Sequence, residues 1–415
     1  MNLVEVWLDD ESLGGTTLVG HLTRSTSKTG DTVRFDYSEG WLKDAGPIAS
    51  FELDHELGLA SGPLYAYAGA DQLSGIFVDC SPDRWGKMLM DRREAIEARE
   101  QKRRVRTLRS WDFLLGVNDE SRMGALRLSD AASGHYVDSS SLSAPPITEL
   151  RSLEAAADRV ERGDDEHVAK WIKQLIAPGA SLGGARPKAS FRDTDGTLWL
   201  AKFPALEDRR DVGHWEYLTF QLSLAAGIDM PQARVQKLSS RGHTFAVQRF
   251  DRTPTSRRTY TSAMTRLARN ESEGASYLDI VEAIESGGSS TQIDLQLEQL
   301  FRRVLFNILI GNRDDHLRNH GFLREGNGWA LSPAFDVNPN PDKGEHVLTI
   351  DGSDTSPDSS LLMATAAFYR LKPNAANEIE LKVRNAVRGW QEKAKALRLR
   401  NDEIELMRDV IDAER

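Results

Sequence analysis

Hydrophobic and polar residues alternate along the first 40 positions, and this pattern predicts a small antiparallel sheet. The alternation is visible in LVEVWL, TLVGHL and TVRFDYSEGWL, with glycine-containing breaks between the three stretches. A period of two with such breaks is typical of short strands joined by turns. Helical periodicity then dominates from about Ser81 to Glu100, where Ser-Pro-Asp predicts an N-cap at Ser81 with proline in the first turn.

A second pattern occupies residues 177–252, where strand-like segments flank one helix. Two strands are followed by a helix that ends at Gly227 and Pro231 and then by two further strands, which predicts a compact nucleotide-binding layout. Beyond Tyr277 helical periodicity takes over, most clearly in LEQLFRRVLFNILIGN. The expected fold class is therefore α+β and two-lobed, with antiparallel sheets in a mixed α/β N-terminal lobe and a mainly helical C-terminal lobe.

The same patterns divide the chain into domains. We expect an N-terminal subdomain, a Ser- and Pro-containing linker, a nucleotide-binding part and a helical lobe that carries the catalytic loop and metal site, at residues 1–130, 131–150, 151–252 and 253–415 respectively. A chain of 415 residues is long enough to bury cores of this size.

Composition excludes several classes of protein. No window approaches the roughly 18 apolar residues of a membrane-spanning helix. The acidic amino-terminal stretch does not resemble a signal peptide, so we expect a cytoplasmic protein without membrane contact. Cys80 is the only cysteine, which excludes a disulfide framework within one chain. The nine histidines are scattered without the close pairing typical of a histidine metal site.

The net charge of −10 argues against binding of nucleic acid through the overall field of this chain. One basic segment, residues 92–109, departs from the acidic average. It is either a solvated, salt-bridged helix face or a docking surface for an acidic protein or a nucleic-acid backbone.

Three acidic or amide side chains around one short hairpin carry the strongest chemical signal. Asp314 is followed five positions later by Asn319, and Asp336 comes after an apolar segment, which is the order used by kinases. Asn319 and Asp336 are therefore candidate Mg²⁺ ligands, and Asp314 is the candidate catalytic carboxylate. Asp315 lacks the five-residue offset and is interpreted as a turn or supporting residue, while His316 would orient the loop by hydrogen bonding. The alternative is a polar turn, which these residue types also favour.

Upstream, ASLGGARPK predicts a loop whose backbone approaches the phosphates of a nucleotide. Its candidate nucleotide-binding residues are Ser181, Gly183, Gly184, Ala185 and Lys188. The loop is not a Walker A motif, because an alanine stands where that motif has its lysine. Two adjacent glycines are also compatible with an ordinary turn.

Two further segments complete the predicted nucleotide site. Lys202 lies in the apolar strand TLWLAKFP, where a buried lysine requires a partner, and Glu216 in the following helix is the candidate. That pair is the kinase arrangement for contacting the α- and β-phosphates. The alternative is a surface lysine on an edge strand. VQRFDR follows the last strand as a hinge, where Phe250 would flank adenine or, alternatively, pack in a core.

Taken together, these segments resemble the HipA-type serine/threonine kinases, the toxins of bacterial toxin–antitoxin pairs. The resemblance covers nearly the whole chain and rests on the order of its motifs, among them GHL, FDYSEGWL, SPDRWGK, SLGGARPKASF, WLAKFP, WEYLTFQLSLAAGIDMP, VQRFDR, SYLDIVEAI, DDHLRNHGF and FDV. It implies a HipA-like kinase fold.

The resemblance also implies roles for individual residues. Asp314 corresponds to the catalytic aspartate, Asn319 and Asp336 to the Mg²⁺ ligands, and Lys202 to the lysine that contacts ATP phosphates, while Gln248 and Phe250 correspond to the adenine-binding hinge. Ser181 corresponds to a serine whose autophosphorylation inactivates such kinases, a role that competes with that of a plain loop-capping serine.

In biological terms the resemblance implies a growth-arresting toxin with a helix-turn-helix antitoxin partner, through which the chain reaches operator DNA. Known substrates of the family include aminoacyl-tRNA synthetases. Two alternatives stay open on the sequence: a small-molecule kinase of the aminoglycoside type, and a nucleotide-binding corepressor without catalytic activity that acts through a DNA-binding antitoxin.

Overall fold

The computed structural model describes residues 1–27, 30–69, 72–139, 144–164, 186–289 and 291–415, together with Ile172 and Leu175. In chain order the strands are β1 (Leu3–Asp10), β2 (Gly15–Ser27), β3 (Gly30–Tyr37), β4 (Leu126–Asp130), β5 (Lys188–Arg192), β6 (Leu198–Lys202), β7 (Ala233–Gln236), β8 (Thr244–Gln248), β9 (Tyr260–Ser262), β10 (Gly321–Glu325) and β11 (Gly328–Leu331). The helices are α1 (Glu39–Leu42), α2 (Gly75–Asp79), α3 (Arg84–Glu100), α4 (Ser110–Leu115), α5 (Leu150–Glu161), α6 (Val212–Ala226), α7 (Ala263–Arg266), α8 (Tyr277–Gly287), α9 (Ile293–Ile310), α10 (Ser359–Ala364), α11 (Pro373–Arg388), α12 (Trp390–Ala396) and α13 (Asn401–Met407).

These elements form two compact units. The first comprises residues 1–206 and 248–261, and the second comprises residues 207–247 and 262–415. Both units mix helices with antiparallel strand pairs, which confirms the α+β class predicted from the sequence. The domain boundaries that the sequence suggests at residues 130, 150 and 252 stay a prediction.

The first unit contains the amino-terminal sheet, whose strand order is β3–β2–β1–β4. Each neighbouring pair is antiparallel. Val4, Val6 and Leu8 are fully buried, while the residues between them on β1 are only partly buried. The alternation along the first 40 residues therefore reports one buried face of an antiparallel sheet, as predicted.

The N-cap of helix α3 lies two residues later than predicted. The Asp83 side chain, and not Ser81, accepts the cap hydrogen bond from the Gly86 N–H at 2.9 Å. The Ser81 hydroxyl instead donates to the Phe77 carbonyl of α2 at 2.8 Å, so it belongs to the end of the preceding helix. Pro82 therefore lies before the helix and not in its first turn.

Part of the predicted linker is packed. Ala144 is only 5% exposed, and the Arg192 N–H of β5 donates to the Pro145 carbonyl at 2.9 Å. Residues 131–135 are exposed, as expected of a surface segment. The end of this segment is thus tied to the β5–β6 hairpin, and α5 begins directly after it.

Within the basic segment at residues 92–109, two arginines share one buried acid. Glu94 is 4% exposed and accepts hydrogen bonds from the Arg103 guanidinium and, at 2.8 Å, from the Arg106 N–H. The Arg106 guanidinium also lies 3.2 Å from it. These contacts fit the salt-bridged interpretation for this part of the segment.

The second unit is built around α9, which is buried along most of its length. Helix α11 packs against both α6 and α9. Helix α6 ends at Gly227, whose φ of +83° is favourable for glycine, and β7 and β8 then form an antiparallel hairpin. Hairpin β10–β11 follows α9. Among the helices in the described ranges, none has the length and apolar character needed to cross a membrane.

Candidate active site

A tight turn at the end of α9 starts the acidic loop, which we define as residues 312–320. Gly311 has a φ of +68° and closes α9. A Cβ at this position would lie 2.7 Å from the Val410 carbonyl oxygen, so only glycine fits without movement of the neighbouring backbone. The loop therefore leaves a buried helix at a fixed point and ends where β10 begins.

Asp314 presents its carboxylate at the surface. Its side chain is 58% exposed and forms an ion pair with the Lys343 ammonium group. The Arg313 guanidinium donates to the Lys343 carbonyl at 2.5 Å, which fixes the backbone that carries this lysine. Lys343 was not identified from the sequence, because it lies 29 positions from Asp314 in a polar stretch.

Asn319 lies close to Asp314 within the loop. Its side-chain N–H faces the Asp314 carbonyl at 3.5 Å, a weak hydrogen bond. Its Oδ1 is buried and has no hydrogen-bond partner among the described residues. A buried amide oxygen without a donor is costly, and a bound cation would satisfy it.

Asp336 occupies an unusual backbone conformation. Its φ of +57° lies in the left-handed region, which a residue other than glycine enters rarely and at a cost of about 1–3 kcal/mol. Such strain is concentrated at ligand-binding sites. The Asn319 oxygen and the Asp336 carboxylate are both oxygen donors of the type that Mg²⁺ prefers, so their chemistry fits the predicted metal, and their joint role as its ligands stays a prediction.

Asp315 supports the loop from beneath. It is 3% exposed and accepts hydrogen bonds from Tyr277 Oη and Asn307 Nδ2, and it also lies within hydrogen-bond distance of His320 Nε2, each at 2.8 Å. Burial raises the pKa of Asp315, but the adjacent His320 and the hydrogen bonds from His320 and Tyr277 outweigh it and hold this pKa below its usual value. Three elements of the second unit therefore converge on one carboxylate.

The second unit contains two further predicted site residues, His316 and Glu216. The His316 carbonyl accepts from the Asn319 N–H at 2.8 Å, so its backbone shapes the turn. Glu216 lies on α6 and is 3% exposed. Its proposed pairing with Lys202 stays a prediction.

In the first unit, two lysines stand directly opposite each other on the β5–β6 hairpin. Lys188 pairs in register with Lys202, and both are buried. The Lys188 ammonium lies 2.5 Å from Asp83, and the Lys188 carbonyl accepts a hydrogen bond from the Trp85 indole at 3.2 Å. Asp83 thus offsets one of two like charges on the same face of the hairpin.

The segment that the sequence predicts as the hinge contains a buried ion pair. Arg249 donates to Asp251 at 2.6 Å, and Asp251 also accepts from the Gly124 N–H at 2.8 Å. Burial alone would raise the pKa of Asp251, but the neighbouring guanidinium groups lower it to about 2. Gln248 and Phe250, on either side of Arg249, are both partly buried. The Phe250 ring lies 5.9 Å from that of Tyr260.

Ser181, Gly183, Gly184 and Ala185 lie outside the described residues. The phosphate loop and its phosphorylation site therefore stay predictions.

Comparisons with known proteins agree in pointing to one family. A family model described as the HipA-like C-terminal domain matches residues 180–393. The serine/threonine-protein kinase toxin HipA of Shewanella oneidensis is 22% identical over 358 residues, which cover 78% of this chain and 73% of that protein. A chain in the solved complex of HipA, HipB and operator DNA from Shewanella oneidensis MR-1 aligns with a TM-score of 0.64 at 15% identity, over 97% of this chain and 94% of that chain. The last likeness shows a shared fold.

Proposed function

Because this chain belongs to the HipA family, we propose that it is an ATP- and Mg²⁺-dependent protein serine/threonine kinase that acts as the toxin of a toxin–antitoxin module. The observation that carries the proposal is the division of roles in the acidic loop. Asp314 is exposed at its surface, while Asn319 keeps a buried oxygen without a hydrogen-bond partner among the described residues. A polar turn that served only to cap a helix would not require this orphaned oxygen.

The proposed reaction is the transfer of the γ-phosphoryl group of ATP to a hydroxyl. Asp314 orients the substrate hydroxyl and takes its proton as the oxygen bonds to the γ-phosphorus and the bond to the ADP oxygen breaks. Mg²⁺ held by Asn319 and Asp336 would neutralise charge on the phosphates. Asp315 and its three hydrogen-bond partners hold the loop that carries Asp314 and Asn319.

The remaining nucleotide contacts come from the predicted residues that precede the acidic loop in the chain. Lys202 contacts the α- and β-phosphates, with Glu216 as its supporting ion-pair partner. Gln248 and Phe250 line the adenine site at the hinge. The loop that includes Ser181 and Gly183 covers the phosphates, and autophosphorylation of Ser181 inactivates the enzyme, because a phosphate adds charge of about −1.5 to −2 beside those of ATP.

The proposed biological role is supported by the names of the relatives. The similar protein of Shewanella oneidensis is named a toxin, and its solved complex contains HipB and operator DNA. For this chain we propose a helix-turn-helix antitoxin as partner, a cytoplasmic location and contact with DNA mainly through that partner. A net charge of −10 supports such an indirect contact. The proposed substrate is a protein of translation, such as an aminoacyl-tRNA synthetase, whose phosphorylation arrests growth.

The test is phosphoryl transfer from γ-labelled ATP by the purified chain, to itself and to proteins of a bacterial extract. We expect Asp314→Asn and Asp336→Asn to lower transfer by at least about 100-fold, since each removes a group that acts on the transferred phosphoryl. Asp402→Asn, at an exposed position on α13, is the matched control and should retain full activity.

Equal transfer by the wild type and both variants would disprove the proposal. Label in small molecules alone would identify a small-molecule kinase. ATP binding without turnover, together with altered affinity of the antitoxin for its operator, would identify a non-catalytic corepressor.

A further inference from the structure

A cluster of two histidines and one aspartate lies in the second unit, outside the residues used above. Asp211 caps the start of α6, His214 lies in the first turn of that helix, and His243 immediately precedes β8. One potential ligand atom from each of the three side chains lies within 4.8 Å of the others. The two histidines lie 29 positions apart in the sequence and show no pairing there, because the fold brings them together across the β7–β8 hairpin.

A close backbone approach brings the two histidines together. Gly213 faces the backbone of His243, and a Cβ at this glycine would lie 2.1 Å from the His243 carbonyl oxygen. The two imidazole rings lie 4.1 Å apart, centre to centre, with an angle of 38° between their planes. His214 and His243 therefore face one carboxylate across a narrow gap.

The ligand atoms are close to the spacing that a metal ion requires. His243 Nδ1 lies 2.5 Å from Asp211 Oδ2, and His214 Nδ1 lies 3.9 Å from the same oxygen. Tetrahedral coordination with bonds of about 2.0 Å places neighbouring ligand atoms about 3.3 Å apart. The two distances to Oδ2 each differ from that spacing by less than about 1 Å, and the remaining pair of ligand atoms lies within 4.8 Å.

The carboxylate is already oriented by its surroundings. Asp211 Oδ1 accepts hydrogen bonds from the backbone N–H of His243 at 2.9 Å and from the backbone N–H of His214 at 3.3 Å. The Asp211 N–H donates to Glu403 at 3.3 Å, and the Trp215 indole donates to the same glutamate at 2.7 Å. These contacts fix the carboxylate with Oδ2 turned towards both imidazoles, as supporting groups do around metal ligands.

We propose that Asp211, His214 and His243 bind a divalent transition-metal ion of the Zn²⁺ type, which clamps the first turn of α6 to the start of β8. Two imidazoles and one carboxylate suit Zn²⁺ and Co²⁺ and not Mg²⁺, which prefers oxygen ligands. The three protein ligands leave a fourth position for water. The proposal is independent of the kinase function, because it concerns other residues and is tested by metal binding and not by phosphoryl transfer.

The test is a titration of the tag-free, chelator-treated chain with Co²⁺ and with Zn²⁺, in excess Mg²⁺ so that oxygen-ligand sites stay saturated. We expect one equivalent to bind, with the visible absorption of four-coordinate Co²⁺ and a higher melting temperature with Zn²⁺. His214→Gln and His243→Gln should each weaken binding by at least about 100-fold, since even loss of a supporting residue costs about 10–100-fold. His135→Gln, at an exposed histidine elsewhere, should bind as the wild type does.

The variant Asp211→Asn distinguishes the role of this residue as a metal ligand from its role as the N-cap of α6. The amide keeps an oxygen that can accept the N–H groups of His214 and His243 but loses the anionic ligand, so it should fold normally and bind Co²⁺ weakly. Circular dichroism checks the fold of each variant. The proposal is overturned if the wild type shows no saturable binding, or if the folded Asp211→Asn or histidine variants bind as tightly as His135→Gln.

Discussion

Asp314 and Asp315 are neighbours with opposite surroundings. The side chain of Asp314 is 58% exposed, whereas that of Asp315 is 4% exposed and engages three polar side chains. A carboxylate that must meet a substrate has to face solvent, while one that orders a loop has to be buried and paired. At the scale of the residue, the proposed catalytic role of Asp314 and the supporting contacts of Asp315 thus belong to two adjacent positions.

These different surroundings predict that the two alanine substitutions affect stability to very different extents. Asp315→Ala should lower the free energy of unfolding by about 3–5 kcal/mol, because it leaves a buried polar network without its shared acceptor. Asp314→Ala should change that free energy by no more than about 0.5 kcal/mol, since it alters an exposed ion pair. Urea unfolding of the two variants measures the difference. Similar losses in both would contradict the assigned surroundings.

His346 makes the stability of the second unit depend on pH. It is 4% exposed, neither ring nitrogen has a hydrogen-bond partner among the described residues, and burial lowers its pKa to about 4. The unfolded chain therefore binds the proton more readily between about pH 4 and 6.5. The stabilising contribution is complete above about pH 6.5 and is lost as the pH falls towards 4.

Replacing this ring should flatten that dependence. His346→Phe keeps a buried ring but cannot be protonated, so its stability should fall less than that of the wild type between pH 6.5 and 4. Melting temperatures across this range provide the measurement. His135→Phe, at an exposed position, should keep the wild-type slope, and an unchanged slope in His346→Phe would refute the prediction.

At the scale of the element, the end of α9 depends on one glycine. Gly311 adopts a left-handed conformation against the Val410 backbone. Gly311→Ala should destabilise the chain by at least about 1–2 kcal/mol, the cost of the left-handed conformation alone, and should also lower phosphoryl transfer by displacing the acidic loop. Gly389→Ala is the control, because Gly389 has a φ of −86° and open space around its Cβ position. Denaturation and transfer assays on both variants test this, and equal stability would contradict it.

Periodicity predicted the elements better than their ends. The alternation of β1 to β3 and the helical pattern of α9 follow from which face is buried, and both are local properties of the sequence. The start of α3 was placed wrongly, because a cap depends on where a side chain points. Ser81 bonds to the helix before it, and Asp83 both caps α3 and pairs with Lys188.

At the scale of the whole molecule, the sequence identified the residues of the acidic loop but not what holds them. The loop is local, and its five-residue spacing can be read directly. Tyr277, which donates to Asp315, lies 38 positions away, and the approach of His214 to His243 depends on the packing of α6. Contacts between distant positions depend on the fold, and they have no fixed separation in the sequence by which they could be recognised.

Ligand binding provides a test at this scale. ATP with Mg²⁺ should raise the melting temperature of the whole chain, because a ligand at 100 times its dissociation constant adds about 2.7 kcal/mol to the free energy of unfolding. Omission of Mg²⁺, or the change Asp336→Asn, should remove most of this shift. Differential scanning fluorimetry measures it. A shift of equal size in Asp336→Asn would exclude this residue as a metal ligand.

The exposure of Asp314 has a practical consequence. Since its carboxylate contributes little to the core, an inactive Asp314→Asn chain should keep the shape and surface of the active enzyme. Under the proposed function, such a chain should be produced in growing cells without arresting them, and it should hold a target that it is unable to modify. Cross-linking of the Asp314→Asn chain to the proteins bound to it in the cell, followed by mass spectrometry, would then identify its target.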